Sequence, residues 1–185
     1  MPKIRNISAP PHVGDMTRGY FDGATQDRGE KCGAGGIIIL SPSHLISWKL
    51  NLWVGTNTKG ELVGLWDLLF LAKYLGINTF HVFGDSQVII SWFVGDQVLD
   101  VLSLTYWKRR ICLLKNDFQL VKADHVYREY NTKADSPSKL ALDSEENCIF
   151  WWSRLEGKMG AVNCFPLACL EVLSVDPRGG WSTQL

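Results

Sequence analysis

Four carboxylates stand out by position: Asp22, Glu61, Asp85 and Asp135. Asp22 lies in Tyr20-Phe21-Asp22-Gly23-Ala24. Asp-Gly is a common hairpin turn, but the next strand does not begin at once. The alternative is an acid presented inside a strand, with Gly23 admitting a second backbone or a ligand. Glu61 opens a helix, where a carboxylate suits the dipole. It also shares a face with Leu65, Leu68 and Ala72, and a charge at the head of an apolar stripe needs a cation. Asp85 lies between a strand and a helix, as an N-cap or as a ligand-binding acid at a strand's carboxyl end. Asp135 is a first-turn acid of a further helix. Each signal is weak alone. Together they form a set of hard oxygen donors without His or Cys, which selects Mg²⁺ or Mn²⁺. Two such ions can clamp the attacking and leaving oxygens of a phosphodiester.

The elements that must position these acids follow from period and punctuation. Arg18–Ala24, Gly33–Leu40 and His44–Trp53 read as three strands with short links, an antiparallel meander. Lys59–Leu75 reads as a helix with Leu65, Leu68, Ala72 and Leu75 on one face and Asp67 roughly opposite. Gly76-Ile77-Asn78 ends it. Thr79–Phe83 is a strand and Asp85–Val94 a helix. A further helix covers Val101–Asn116, with Leu104, Trp107, Ile111 and Leu114 at helical spacing. Phe118–Val126 is a strand and Asn131–Leu142 the last helix. The order β-β-β-α-β-α-α-β-α implies an α/β fold, a five-stranded mixed sheet with helices on both faces. Residues 1–16 read as a lead-in segment, 17–143 as the domain, and 144–185 as a tail without clear period.

Composition bounds the class. The chain has 185 residues, 46% of them apolar, enough for one core with length to spare. Nineteen basic residues balance nineteen acidic ones, so no basic footprint shows at whole-chain level. Residues 108–139 nevertheless hold eight basic side chains against four acids. That segment suits phosphate contact, or else gives a solvated helix face. The five cysteines are irregularly spaced and include no C-x-x-C, which argues against a disulfide scaffold or a structural zinc site. No signal-peptide core and no membrane-length apolar run is present. The expectation is an intracellular protein of cytoplasm or nucleus, a monomer, without membrane association.

At this point the residues match a family. Tyr20-Phe21-Asp22-Gly23-Ala24, Gly33-Ala34-Gly35-Gly36, Thr56-Asn57-Thr58-Lys59-Gly60-Glu61-Leu62, Gly84-Asp85-Ser86-Gln87 and His125 through Asp135 occur in order and spacing. Over residues 18–142 the chain resembles type-1 ribonuclease H, in particular the domains of plant retroelements. The resemblance implies that Asp22, Glu61, Asp85 and Asp135 hold two Mg²⁺ ions, with Mn²⁺ able to substitute. One ion would activate water and the other would stabilise the leaving 3′ oxygen. The implied reaction is endonucleolytic cleavage of the RNA strand of an RNA–DNA hybrid, leaving 5′-phosphate and 3′-hydroxyl ends. It further implies substrate contacts by Gly23, Thr56, Asn57, Gln87 and Asn131, although Thr56-Asn57 also reads as an ordinary turn and N-cap. Such contacts suit a hybrid, which is recognised by shape and 2′-hydroxyls.

Three departures accompany the resemblance. Only about Gly95–Asp100 joins the second and third helices, so a basic Trp-containing protrusion is lacking. His125 lies ten residues before Asp135, at a strand end, and reads as structural. Pro137 follows Asp135 closely. It suits a helix beginning near Ser136 but would kink one that begins earlier. The alternative function is a catalytically silent, nucleic-acid-binding remnant of a retroelement domain.

Overall fold

The computed structural model describes residues 16–145 and 148–167, so all but the last residue of the lead-in segment, and the last eighteen residues, lie outside the described residues. Strands β1 (Thr17–Gln26), β2 (Lys31–Ser41) and β3 (His44–Trp53) form the expected meander. They are followed by α1 (Asn57–Tyr74), β4 (Thr79–Gly84), α2 (Gln87–Val94), α3 (Thr105–Asn116), β5 (Leu120–His125) and α4 (Thr132–Ala141). Strands β6 (Cys148–Leu155) and β7 (Lys158–Pro166) then extend the sheet, giving the order β5-β4-β1-β2-β3-β6-β7. β4 runs parallel to both β1 and β5, and the remaining pairs are antiparallel.

Strand pleating sorts the two faces. Ala34 on β2 lies toward Gly64 of α1. Its neighbours Gly33 and Gly35 lie toward α4, where a Cβ on Gly35 would come within 2.3 Å of the Ser138 nitrogen. Helices α1, α2 and α3 share one core with the first face, built on Phe21, Ile38, Trp48, Leu50, Phe80 and Val82. Helix α4 covers the other face. Helices therefore lie on both sides of a mixed sheet, as the alternation of elements requires.

The tail is where structure and sequence reading part. Seven consecutive residues of β6 pair with β3, from His44↔Leu155 to Leu50↔Ile149. Two of its aromatics close over the end of α1. The Phe165 ring lies 4.8 Å from Tyr74 and 6.1 Å from Phe70, and Trp151 lies 6.0 Å from Tyr74. No strand period is visible there because β7 is exposed along nearly its whole length and offers no apolar–polar alternation. The sheet thus has seven strands, two more than the sequence indicated.

Helix α1 explains the second difference. Every residue from Gly60 to Ala72 is buried, so the helix has no solvent face and needs no amphipathic stripe. Trp66 and Phe70 stack, and Trp107 of α3 tilts against Trp66 at 5.1 Å. The Arg110 guanidinium covers the outer Trp66 ring at 4.7 Å. At the far end Gly76, with φ +77°, donates to the Lys73 carbonyl while Ile77 donates to that of Ala72. This is the C-terminal motif that glycine permits. Helix α4 begins at Thr132, so Pro137 is an interior residue rather than a first-turn one. Its ring is buried, and no helix among the described residues is long and apolar enough to cross a membrane.

Asp67 does not face solvent. It is fully buried in α1 and neither carboxylate oxygen has a hydrogen-bond partner. Burial alone holds its pKa well above the usual carboxylate range. An acid raised in this way favours the folded state while protonated, and that contribution is lost as pH rises through its folded pKa. Asp67→Asn is therefore expected to raise stability at pH 8 by about 1 kcal/mol or more, because each unit by which burial raises a carboxyl pKa costs about 1.4 kcal/mol once the group ionises, and the amide does not ionise. The gain should vanish near pH 4, and urea midpoints at the two pH values check it. Phe165→Ala is expected to lower stability by about 1–3 kcal/mol if β7 seals α1 as described. An unchanged urea midpoint would show that the β6–β7 hairpin is not part of the core.

Candidate active site

The parallel pairing of β1 with β4 ends at Phe21↔Gly84. Asp22 and Asp85 are the next residues on two adjacent strands, so the register alone places these acids side by side. Glu61 arrives from the other direction. A Cβ on Gly23 would lie 2.4 Å from the Glu61 nitrogen and 2.6 Å from the Gly60 carbonyl carbon. Glycine at 23 is what lets the first turn of α1 rest on β1. The close approach foreseen at Gly23 is that of this helix backbone.

The result is a compact acidic group. One carboxylate oxygen from each of Asp22, Glu61 and Asp85 lies within 4.8 Å of the others. Asp22 is 2% exposed and Glu61 3% exposed. Asp22 Oδ1 accepts from the Gly23 amide at 3.0 Å, and Oδ2 accepts from Ser138 Oγ at 3.1 Å. Glu61 Oε2 is buried with no hydrogen-bond partner. Burial first, then the Asp85 charge, pushes Asp22 up to about 6 against the lowering effect of the Ser138 hydroxyl. Burial, Asp22 and Asp85 hold Glu61 well above the usual range. A cluster of this kind is stable in its ionised form only with a cation among the acids.

Asp85 is not the N-cap of α2, since that helix starts at Gln87 after Ser86. Its side chain is held at the acidic group instead. Asn131 Nδ2 donates to the Phe21 carbonyl at 2.9 Å and approaches Asp85 Oδ1 at 3.4 Å. Arg128 Nε lies 3.5 Å from Asp85 Oδ2, and His125 Nε2 lies 3.1 Å from the Asp85 carbonyl oxygen. His125 is thus the strand-end structural residue the sequence suggested.

Asp135 is placed nearby but turned aside. It raises the Asp22 pKa electrostatically, while its own Oδ2 pairs with Lys139 Nζ at 2.7 Å. The three-acid group does not include it. Of the residues expected at the substrate, Thr56, Asn57 and Gln87 are exposed. Thr56 caps α1 by accepting the Lys59 amide at 3.1 Å, the ordinary role left open for it. Gln87 donates to Ser91 Oγ at 2.8 Å. Asn131 is only 1% exposed and ties two strand ends together, so the structure gives it a positioning role where a substrate contact was expected.

Sequence reasoning missed Ser138 and Arg128 as members of the site. Ser138 Oγ also lies 2.8 Å from the Asp135 main-chain carbonyl oxygen, so its one proton is shared between that carbonyl and Asp22. Its spacing of three from Asp135 puts both on one helix face, the one signal that was available. Arg128 counted only toward the charge of its segment.

Comparison with known proteins agrees with this geometry. The reverse transcriptase-like family model matches residues 20–141, from the strand bearing Asp22 to the end of α4, and stops before β6. No curated protein matches the chain. Among solved structures, ribonuclease H1 from Halobacterium salinarum NRC-1 superposes with a TM-score of 0.65 at 24% identity, over 70% of this chain and 98% of that one. The N-terminal ribonuclease H domain of rv2228c from Mycobacterium tuberculosis, solved as a fusion with maltose binding protein, gives 0.63 at 22% identity, covering 70% and 100%. LC11-RNase H1 in complex with an RNA/DNA hybrid gives 0.63 at 20%, covering 69% and 96%. By its sequence match and its superposition, the chain belongs to the reverse transcriptase-like family and has the type-1 ribonuclease H fold.

Proposed function

We propose that the chain hydrolyses the RNA strand of RNA–DNA hybrids, leaving 5′-phosphate and 3′-hydroxyl ends. The observation that carries this reading is the buried group Asp22, Glu61 and Asp85, whose acids point into one volume and include an unpartnered Glu61 oxygen. Family membership and the hybrid-bound relative support the substrate class.

The donor set fits a divalent cation. It consists of carboxylates alone, which suits Mg²⁺ or Mn²⁺ over softer metals. Asp22, Glu61 and Asp85 would hold it, with Asp135 joining once its carboxylate leaves Lys139. Two such ions would supply an activated water and charge stabilisation at the leaving 3′ oxygen. The chain's own residues prepare that arrangement. Ser138 fixes the orientation of Asp22, and Asn131 fixes Asp85 relative to β1. Arg128 is three-quarters exposed beside Asp85, so its guanidinium can meet a substrate phosphate without leaving the site.

Asp85→Asn is expected to lower hybrid cleavage at least about a hundredfold, on the scale of losing one charge-stabilising group in an active site. Gel analysis of a labelled hybrid in Mg²⁺ measures it. Wild-type chain that binds hybrid yet leaves it intact in both Mg²⁺ and Mn²⁺ would sink the enzyme reading in favour of a silent binding module.

Metal binding should also be visible without turnover. Asp22 and Glu61 have raised pKa values, so the metal-free chain loses stability as pH rises through about 6 and these charges appear. Mg²⁺ offsets them and should raise the melting temperature most at pH 8, with the gain shrinking below pH 6. At one hundred times its Kd the ion contributes about 2.7 kcal/mol. Asp22→Asn should diminish the effect, which differential scanning calorimetry can follow.

A further inference from the structure

The loop between β5 and α4 is unusually well tied down. Val126 donates to the Gly84 carbonyl at 3.0 Å, at the strand end that precedes Asp85. Asn131 closes the other end on the Phe21 carbonyl. Between them Arg128–Tyr130 form a tight turn, in which the Tyr130 amide donates to the Tyr127 carbonyl at 2.8 Å. A turn so closed brings the Cα atoms of its first and last residues, Tyr127 and Tyr130, within about 7 Å of each other.

Both tyrosines face water. Tyr127 is 64% exposed and Tyr130 is 68% exposed. Tyr127 rests edge-on against His125 at 5.7 Å, and His125 in turn contacts the Asp85 carbonyl. The Tyr130 side chain makes no hydrogen bond or ring contact with any described residue. Packing therefore explains neither ring. What distinguishes them is place: Arg128, between them in sequence, reaches the Asp85 carboxylate. The two largest exposed side chains of this loop flank the residue that touches the acidic group.

We propose that Tyr127 and Tyr130 form an aromatic platform for an unpaired nucleotide of the cleaved strand, next to the scissile phosphate. This rests on the reading of the acidic group as a hybrid-cleaving centre. Inside a duplex each base face is covered by its neighbours, so an exposed ring finds a free face only where the strand leaves the helix. Stacking there is tolerant of sequence and strong enough to matter. The Arg128 guanidinium, beside the Asp85 carboxylate, supplies the complementary contact to phosphate. The platform makes the chain select hybrid junctions over uniform duplex.

Two hybrids sharing one duplex sequence test this. One is blunt, and the other carries a short unpaired extension on the RNA strand with 2-aminopurine at its first unpaired position. Binding is measured with Ca²⁺ in place of Mg²⁺, so that turnover does not enter. The full chain should bind the junction about tenfold more tightly than the blunt hybrid, with quenching of the 2-aminopurine as it stacks. Tyr127→Ala and Tyr130→Ala should each remove most of that preference, while the Phe variants at both positions keep it. Equal binding of the two hybrids, or a preference that survives both Ala variants, overturns the platform. Hydrolysis of the blunt hybrid in Mg²⁺ is scored separately and reports on the cleavage reading alone.

Discussion

The arrangement depends on one contact, the seating of the first turn of α1 on β1. At Gly23 the strand has no side chain, and Gly60 and Glu61 occupy the space a Cβ would take. Any larger residue at 23 would lift the helix and carry Glu61 away from Asp22. The contact also fixes the rest of α1, which runs over the sheet buried on every side. The same device recurs on the opposite face, where Gly35 admits the α4 backbone at Ser138. Ser138 then reaches through to Asp22. Two helices on opposite faces thus meet the adjacent strands β1 and β2 at nearly the same level, each through a glycine, since Gly35 pairs with Asp22 beside Gly23. The acidic group lies where those two approaches and the end of β4 converge.

That convergence is costly by itself. Two of the three acids are almost fully buried, and burial together with mutual repulsion raises the pKa values of Asp22 and Glu61. A protein selected only for stability would place apolar residues there. The cost is accepted where the surroundings over-determine the geometry. Here the surroundings are the Asn131 tie between strand ends and the Ser138 link between β1 and α4. Both are neutral donors. They orient carboxylates without neutralising them, leaving the charge available to a cation. Asp135 is different, because Lys139 one turn later already pairs with it. Its recruitment would exchange that ion pair for a metal contact, at an exposed position where the pair contributes little.

Much of this was legible from the sequence, and the parts that were not share a physical reason. The order of the first nine elements followed from period and glycine punctuation, because each is a regular segment bounded by a turn signal. The acids announced themselves by standing where charge is expensive. The strands β6 and β7 were not legible because neither has a face buried along its length to impose alternation: β7 is an exposed edge, and β6, although paired on both sides, is mostly half-buried. The burial of Asp67 was hidden for the converse reason. A helix enclosed on all sides carries apolar residues around its whole circumference, so a helical wheel assigns its mid-helix acid, Asp67, to a solvent face that does not exist. Asn131 and Ser138 were difficult because their roles lie in bonds to residues more than a hundred positions away, Phe21 and Asp22. Local pattern carries no record of such partners.

The balanced net charge takes on a different meaning in this fold. Residues 108–139 carry eight basic side chains, but five of them are engaged within the chain, Arg128 among them through Asp85. Lys108 donates to the Leu99 carbonyl and Lys115 to that of Phe93. Arg110 lies over Trp66, and Lys139 pairs with Asp135. Arg109, Lys122, Arg128 and Lys133 are exposed, and of these only Arg128 touches the acidic group. A nucleic acid held mainly through phosphate contacts requires a broad basic surface, and its affinity then falls steeply with salt. Among the described residues, 108–139 present a narrower one, so hybrid binding of the kind proposed would draw more on contacts that salt does not screen. Exposed rings such as Tyr127 and Tyr130 would supply contacts of that kind, as the proposed platform requires.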